Sequence, residues 1–239
     1  MIVSRIMEKK FTIGLLSKEI QGEAGRPINC SSIFARIRKK TVAGQIIRVG
    51  KGVYATSNRP VFEYELHSSL ARQVRSELKD IYGNRLEFAV YETTILNHFL
   101  NHLIANTTIL VDVPREYCEH VFFALVNRGF KNLLLNPSED ENYRYNHFDG
   151  KTIVIKCCSS RSPIDKKKNT ILLEKVLVDI VADKRLRYFF EGAETGPMIQ
   201  EITENYSLDY AKVRTYAKRR GCYESLCQYI PAEIRQAYL

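Results

Sequence analysis

The 239-residue sequence lacks the features that membrane and exported proteins need. No stretch approaches about 18 consecutive apolar residues, which a transmembrane helix requires, and the N-terminus has no long apolar segment of the signal-peptide type. The six cysteines form no C-x-x-C pair, so the usual zinc-ligand spacing is absent and a reducing compartment is indicated. These absences predict a cytoplasmic protein with no membrane partner.

The common phosphate-binding and nucleophile motifs are also missing. The sequence contains no G-x-x-x-x-G-K-[ST], no G-x-G-x-x-G and no G-x-S-x-G, which argues against a P-loop, a dinucleotide fold and a nucleophile elbow. His98 and His102 are four apart, but the intervening glutamate of an H-E-x-x-H zinc motif is missing. We therefore expect no metal site and no cofactor.

The acidic residues after residue 62 do not show the spacing that a metal-dependent enzyme requires. Asp112 ends a predicted strand without the second carboxylate of an Asp-x-Asp pair, and one carboxylate holds Mg²⁺ poorly. Glu174 and Asp179 are five apart and do not share a helix face, whereas Lys175, Asp179 and Asp183 are spaced by four. We expect these side chains on a solvated helix surface, and we expect no catalytic residue.

Positive charge, by contrast, is abundant and unevenly placed. The chain has 36 Lys and Arg against 27 Asp and Glu. Residues 1–58 hold 11 basic and 3 acidic residues, a net charge of +8, whereas residues 59–239 hold 25 and 24, a net charge of +1. Charge concentrated in this way is typical of a surface that binds a polyanion.

The first 58 residues show the order of a winged helix-turn-helix. Apolar spacing predicts helices over 2–9, 13–20 and 30–40, with a break at 11–12 and with Asn29 as the N-cap of the third helix. Two β-branched stretches, 45–49 and 53–55, flank the glycine-bearing turn 50–52 and predict a hairpin. In such a domain the third helix enters the major groove of DNA.

Small hydroxyl side chains at the start of that helix allow close approach to base edges, and cations from helix and hairpin neutralise phosphates. The predicted DNA contacts are therefore Ser31, Ser32, Arg36, Lys39, Lys40, Arg48 and Lys51.

Residues 62–239 read as a separate domain of the α/β (α+β) class. Strands are predicted at 86–91, 108–113, 132–135 and 152–156, alternating with helices at 68–82, after Thr93 or Thr94, and at 116–128. From Asn169 or Thr170 onward the pattern becomes helical, with further helices at 185–191, 195–204, 208–220 and 223–237. Ser207 is the predicted cap of the 208–220 helix.

Several segments, in order along nearly the whole chain, resemble AbiEi-like antitoxins of type IV (abortive infection) toxin–antitoxin systems. The hairpin Ile47-Arg48-Val49-Gly50-Lys51-Gly52-Val53-Tyr54-Ala55 is similar to the wing of that family. The other matching segments are 122–125, 134–138, 172–180 and 216–221. The resemblance adds Tyr54 to Arg48 and Lys51 as wing residues that contact DNA.

The resemblance implies a bipartite protein. The N-terminal domain would repress the promoter of its own operon, with double-stranded DNA as partner. The C-terminal domain, similar to a degenerate nucleotidyltransferase fold followed by a helical bundle, would counter a nucleotidyltransferase-type toxin encoded nearby, directly or functionally. Two alternatives stay open: a winged-helix transcriptional regulator whose C-terminal domain senses a ligand, and a nuclease or nucleotidyltransferase docked on DNA.

Overall fold

The computed structural model describes residues 10–100, 103–104, 107–147, 149–159, 161–186, 190 and 194–239. Below, residues 10–58 are called the N-terminal segment, and the described residues from 59 onward the body. The predicted helix over 2–9 lies outside the described residues.

Two helices and a three-stranded antiparallel sheet form the N-terminal segment. The two predicted helices that are described and the hairpin are confirmed, and the helical pattern breaks at 11–12 as predicted. The strand at this break was not predicted: Phe11 pairs with Tyr54 in a sheet of order β1-β3-β2. The elements are β1 (Lys10–Thr12), α1 (Ile13–Ala24), α2 (Cys30–Val42), β2 (Ile46–Gly50) and β3 (Val53–Thr56).

Both helices have clear local start signals. The hydroxyl of Thr12 accepts from the backbone N–H of Leu15 at 3.5 Å and caps α1. The side chain of Asn29, the predicted cap, accepts from the N–H of Ser32 at 2.8 Å at the start of α2. Helix α1 ends at Gly25, whose φ of 62° is the left-handed conformation that glycine adopts without steric cost.

The sheet of the N-terminal segment separates two apolar clusters. One face packs on α1 and α2 around a small core of five buried residues, Leu16, Ile20, Ile33, Ile37 and Ile46. The other face contributes Ile47, Val49 and Ala55 to the large core of the body. Polar contacts join the same regions, since Ser57 and Ser207 share a hydrogen bond of 2.7 Å between their hydroxyls.

A mixed four-stranded sheet of order β4-β5-β7-β6 forms the centre of the body. Strands β5, β6 and β7 run parallel, and β4 runs antiparallel to β5. The strands are β4 (Ala89–Glu92), β5 (Thr107–Val113), β6 (Leu133–Leu135) and β7 (Asp149–Cys157), and the associated helices are α3 (Ser69–Tyr82), α4 (Cys118–Asn127) and α5 (Glu139–Tyr145).

Most of these elements match the predictions. The helix expected after Thr93 is a short 3-10 helix, Thr93–His98, and a second one, Arg115–Tyr117, precedes α4. Helix α5 was not predicted, although its sequence carries a signal: Ser138 and Glu141 form a reciprocal capping box.

The C-terminal part of the body is helical, as predicted, but three boundaries differ. Helix α6 begins at Leu173, because Thr170 and Ile171 pair with a preceding short strand. Asp209 caps the 208–220 helix; Ser207, the predicted cap, instead donates to the carbonyl of Arg59. The elements are β8 (Ile164–Asp165), β9 (Thr170–Ile171), α6 (Leu173–Ala182), α7 (Thr195–Asn205), α8 (Tyr210–Arg219), α9 (Tyr223–Tyr229) and α10 (Ala232–Tyr238).

The third difference concerns the predicted helix over 223–237, which is two helices divided at Pro231, a residue with no backbone N–H to donate. The predicted 185–191 helix falls largely outside the described residues. The chain is thus a mixed α/β protein, as predicted. Within the described ranges, no helix is both long enough and apolar enough to cross a bilayer.

Candidate nucleic-acid interface

Helix α2 presents a polar, cationic surface to solvent. Ile33 and Ile37 point into the small core, and their spacing of four fixes which side of the helix is buried. Ser31, Arg36 and Lys39 of the predicted contacts are exposed on the rest of the helix surface. The structure therefore brings these three predicted contacts onto one accessible helix.

Arg38 is an exposed cation of α2 outside the predicted set of contacts. It lies three residues after Ala35 and seven after Ser31, both exposed, so the three form a row on the outward side of the helix. The signal was available in the sequence, because this row lies opposite the stripe made by Ile33 and Ile37.

Two of the predicted contacts on α2 are engaged within the protein. The amine of Lys40 is 2.7 Å from the carboxylate of Glu23, and this ion pair joins α2 to α1. Ser32 is half-buried, and its backbone N–H is held by the Asn29 cap. Ser32 and Lys40 are therefore less accessible than the fully exposed residues of α2.

The hairpin tip adds one more exposed cation. Lys51 is exposed in the turn between β2 and β3. Arg48 is half-buried and its Nε donates to the carbonyl of Gly50 at 3.2 Å. Tyr54, opposite Arg48 in the sheet register, packs against the small core and is also half-buried. Of the three hairpin residues predicted to contact DNA, Lys51 is thus the most accessible.

A second cluster of functional side chains is buried in the body, where solvated charges were expected. Every residue of α6 from Leu173 to Val181 is buried, because α7, α8 and α9 pack against this helix and its Lys175 reaches Asp112 of β5. The prediction of a solvated surface for Glu174, Lys175, Asp179 and Asp183 is therefore wrong.

Three of these charges, Lys175, Asp179 and Asp183, form a buried ion network with Asp112 and Lys156 of the sheet. The Lys175 amine lies 2.8 Å from Asp112 Oδ2 and is also paired with Asp179. The Lys156 amine, on β7, lies 2.7 Å from Asp183 Oδ2 and 3.7 Å from Asp112 Oδ1. We call Asp112, Lys156, Lys175, Asp179 and Asp183 the buried ion network; each is at most 3% exposed.

Tyrosines and arginines complete the hydrogen bonding of the network. The hydroxyl of Tyr91 accepts from Lys156 at 2.8 Å, and that of Tyr216 donates to Asp179 at 3.0 Å. Arg185 Nε donates to Asp183 at 3.0 Å, and Arg220 Nη1 lies 3.4 Å from Asp179. Three carboxylates are thus surrounded by two lysines and two arginines.

Burial and the opposing charges compete in setting the ionisation of these groups. Burial by itself raises the pKa of Asp183, but the charges of Lys156 and Arg185 outweigh it and hold that pKa far below its usual range. Burial lowers the pKa of Lys175, but Asp112 and Asp179 outweigh it and hold that pKa well above its usual range. The ion pairs therefore persist at neutral pH despite their burial.

Glu174 stands apart from the network. It accepts from the backbone N–H of Asp209 at 2.9 Å, and burial raises the pKa of its carboxyl. Asp179, by contrast, contacts Tyr216 and Arg220 at the C-terminal end of α8. Across the part of the chain that the structure describes, no three His, Cys, Asp or Glu side chains gather in a group that could hold a metal ion.

The fold and this surface together define a mixed α/β protein with a cationic N-terminal segment. The chain belongs to a family of unknown function, DUF6577, whose model matches residues 32–236. No curated protein matches it. The crystal structure of the Rv2827c protein from Mycobacterium tuberculosis is similar over 92% of this chain and 75% of that chain, with 12% identity and a TM-score of 0.25.

Proposed function

We propose that this chain is a double-stranded DNA-binding protein whose N-terminal segment contacts DNA as a winged helix-turn-helix. The observation that carries the proposal is the set of exposed cations on α2 and at the hairpin tip, Arg36, Arg38, Lys39 and Lys51. A helix of this size fits the major groove, where an arginine can bind guanine through two hydrogen bonds. A lysine on a hairpin beside the helix then meets the phosphate backbone.

The test is binding of the full chain to duplex DNA from upstream of its own gene, measured by fluorescence anisotropy over a range of salt. We expect the logarithm of affinity to fall linearly with the logarithm of salt concentration, by roughly 0.9 per neutralised phosphate. Changing the four cations together to alanine should remove most of this slope. An unchanged slope, or no binding by the native chain at low salt, would contradict the proposal.

The finer proposal is an antitoxin that represses its own operon and neutralises a nucleotidyltransferase-type toxin. It rests on the resemblance of the hairpin and of four segments of the body to AbiEi-like antitoxins. In this proposal the body, not the cationic surface, counters the toxin, so the two activities can be separated by substitution.

The separating experiment expresses the neighbouring gene alone, with the native chain, or with the variant in which Arg36, Arg38, Lys39 and Lys51 are alanine. Growth restored by both forms of the chain supports an antitoxin seated in the body. Growth restored by the native chain alone assigns neutralisation to DNA binding. A harmless neighbour, or no rescue by either form, removes the antitoxin proposal and leaves DNA binding standing.

A ligand-responsive regulator is the second candidate, and one cavity favours it. A space of about 380 Å³ lies between β2 of the N-terminal segment and the body, where its lining includes Arg48, Tyr64, Glu174 and Lys212. A small molecule there would touch both the DNA-binding segment and the body. It should raise the thermal midpoint and change DNA affinity at the same concentrations; a compound that does neither gives this candidate no support.

A further inference from the structure

Two cysteines far apart in the sequence meet at one end of the central sheet. Cys118 is the first residue of α4 and Cys157 the last residue of β7, and their Sγ atoms lie 2.6 Å apart. A disulfide bond has a sulfur–sulfur length of about 2.05 Å. A movement of roughly half an ångström would therefore bring the two sulfurs to bonding distance.

The strand geometry selects Cys157 over its neighbour Cys158. Successive residues of a strand point to opposite faces of the sheet. Cys157 meets α4, whereas Cys158 lines a pocket on the other side together with Asp112 and Arg115. Cys30, by comparison, is exposed on α2 and belongs to the N-terminal segment.

We infer that Cys118 and Cys157 form a site of reversible oxidation, in which hydrogen peroxide converts the two thiols into one intramolecular disulfide. The half-buried Cys157 reacts first: its thiolate attacks one peroxide oxygen, the O–O bond breaks, and a sulfenic acid and water form. The sulfur of Cys118 then attacks the sulfur of Cys157, the S–O bond breaks, and a second water leaves. Peroxide is thus reduced to two waters while two thiols are oxidised.

The second of these steps needs Cys118 to lose its proton. A thiol at the start of a helix tends to ionise more readily, but burial and the hydrogen bond with Cys157 outweigh this effect and raise the pKa of Cys118 to about 12. Little Cys118 thiolate is therefore present at neutral pH, and disulfide formation should accelerate as the pH rises. Once formed, the bond would tie α4 to β7 and stabilise this end of the sheet.

The experiment treats the full chain with graded hydrogen peroxide, blocks the remaining thiols with an alkylating agent, and maps the peptides by mass spectrometry. We expect one cross-linked pair, Cys118 with Cys157, whose formation is faster at higher pH and which a thiol reductant reverses. Cys157→Ser should abolish it, and the matched control Cys222→Ser, at a buried cysteine between α8 and α9, should leave it intact.

Three results would overturn the inference. The first is a disulfide between any other pair of cysteines in the native chain. The second is oxidation of Cys157 to sulfinic acid while Cys118 still reacts with the alkylating agent. The third is no loss of free thiols at any peroxide concentration. The peptide map of the native chain decides among them by itself, so the inference stays testable if a serine variant fails to fold.

Discussion

Arg38 and Lys39 are adjacent on α2, but they present their side chains in directions about 100° apart around the helix axis. Both lie on the outward side of the helix, since Arg38 follows Ala35 by three residues and Lys39 follows it by four. In the DNA-binding proposal their chemistry separates two roles. An arginine can bind guanine through two hydrogen bonds, so we propose that Arg38 meets base edges, whereas Lys39 and Lys51 act as point charges that meet phosphates.

Arg38→Ala should therefore reduce affinity for the upstream DNA by roughly 1–3 kcal/mol and change affinity for a scrambled duplex much less. Lys51→Ala should weaken binding to both duplexes equally. It should also reduce the slope of log affinity against log salt concentration by about 1. Lys79→Ala, which removes an exposed cation from α3, is the matched control and should change neither. Equal losses on both duplexes for Arg38→Ala would assign that residue to the phosphate backbone instead.

Lys175 links two carboxylates of the buried ion network, because it is paired with both Asp112 and Asp179. A buried ion pair adds little net stability over apolar residues of the same shape, but removing one partner leaves an uncompensated buried charge. Removing one member of the network should therefore destabilise the fold, even though the complete network adds little net stability.

We expect Lys175→Met to lower the free energy of unfolding by roughly 3–5 kcal/mol, measured by urea denaturation. Adding Asp112→Asn to that variant should recover part of the loss, since it removes one of the two buried carboxylates that lose Lys175 as a partner. Lys79→Met serves as the surface control and should cost little. A double variant less stable than Lys175→Met alone would show that Asp112 stabilises the fold by another route.

At the scale of elements, the Asn29 cap stabilises the start of α2. Its first turn carries no acidic residue to complement the helix dipole, so the Asn29 side chain supplies the main stabilising contact there. The same turn holds Ser31, and fraying would displace it from the outward row. Helix stability and the geometry of the cationic surface are therefore coupled.

Asn29→Ala should cost about 1 kcal/mol of stability, and Asn29→Asp, which retains the capping oxygen, should cost much less. In the alanine variant, backbone amides in the first turn of α2 should exchange hydrogen faster. The exchange of amides in β5 and β7 should change only as much as the loss of global stability predicts. If exchange in α2 is unchanged, the helix is held by packing of Ile33 and Ile37 instead.

At the scale of the whole molecule, the buried ion network joins β5 and β7 of the sheet to α6, and Tyr216 and Arg220 connect it to the end of α8. The large core is continuous from the hairpin of the N-terminal segment through this region to the C-terminal helices. Charge changes within the network should therefore affect the stability of the body as a unit.

The free energy of unfolding should fall as the pH is lowered below about 4, the ordinary range of an aspartate carboxyl. Because native Asp183 has a pKa below that range, the unfolded chain takes up its proton first, so the stabilisation is complete above about pH 4 and is lost toward the native pKa. Asp183→Asn should lower stability at neutral pH and flatten this acid dependence, as measured by denaturation at several pH values. If the free energy of unfolding of the variant falls with decreasing pH as steeply as that of the native chain, groups other than Asp183 cause the acid sensitivity.

The sequence by itself determined the mixed α/β class and most element positions, because these follow from local periodicity and caps such as Asn29. It also indicated the cationic helix, since the spacing of Ile33 and Ile37 defines which side is free. Helix α5 could have been found in the same way from its capping box.

Only the tertiary structure decided which polar residues are buried. The spacing of Lys175, Asp179 and Asp183 is the same for a solvated ladder and for a helix covered on both sides, and the partners that neutralise them, Asp112 and Lys156, come from distant strands. The meeting of Cys118 with Cys157 has the same origin: it depends on β7 lying beside α4, which no local sequence pattern encodes. Local interactions act over a few residues, whereas burial and charge pairing depend on how distant elements pack.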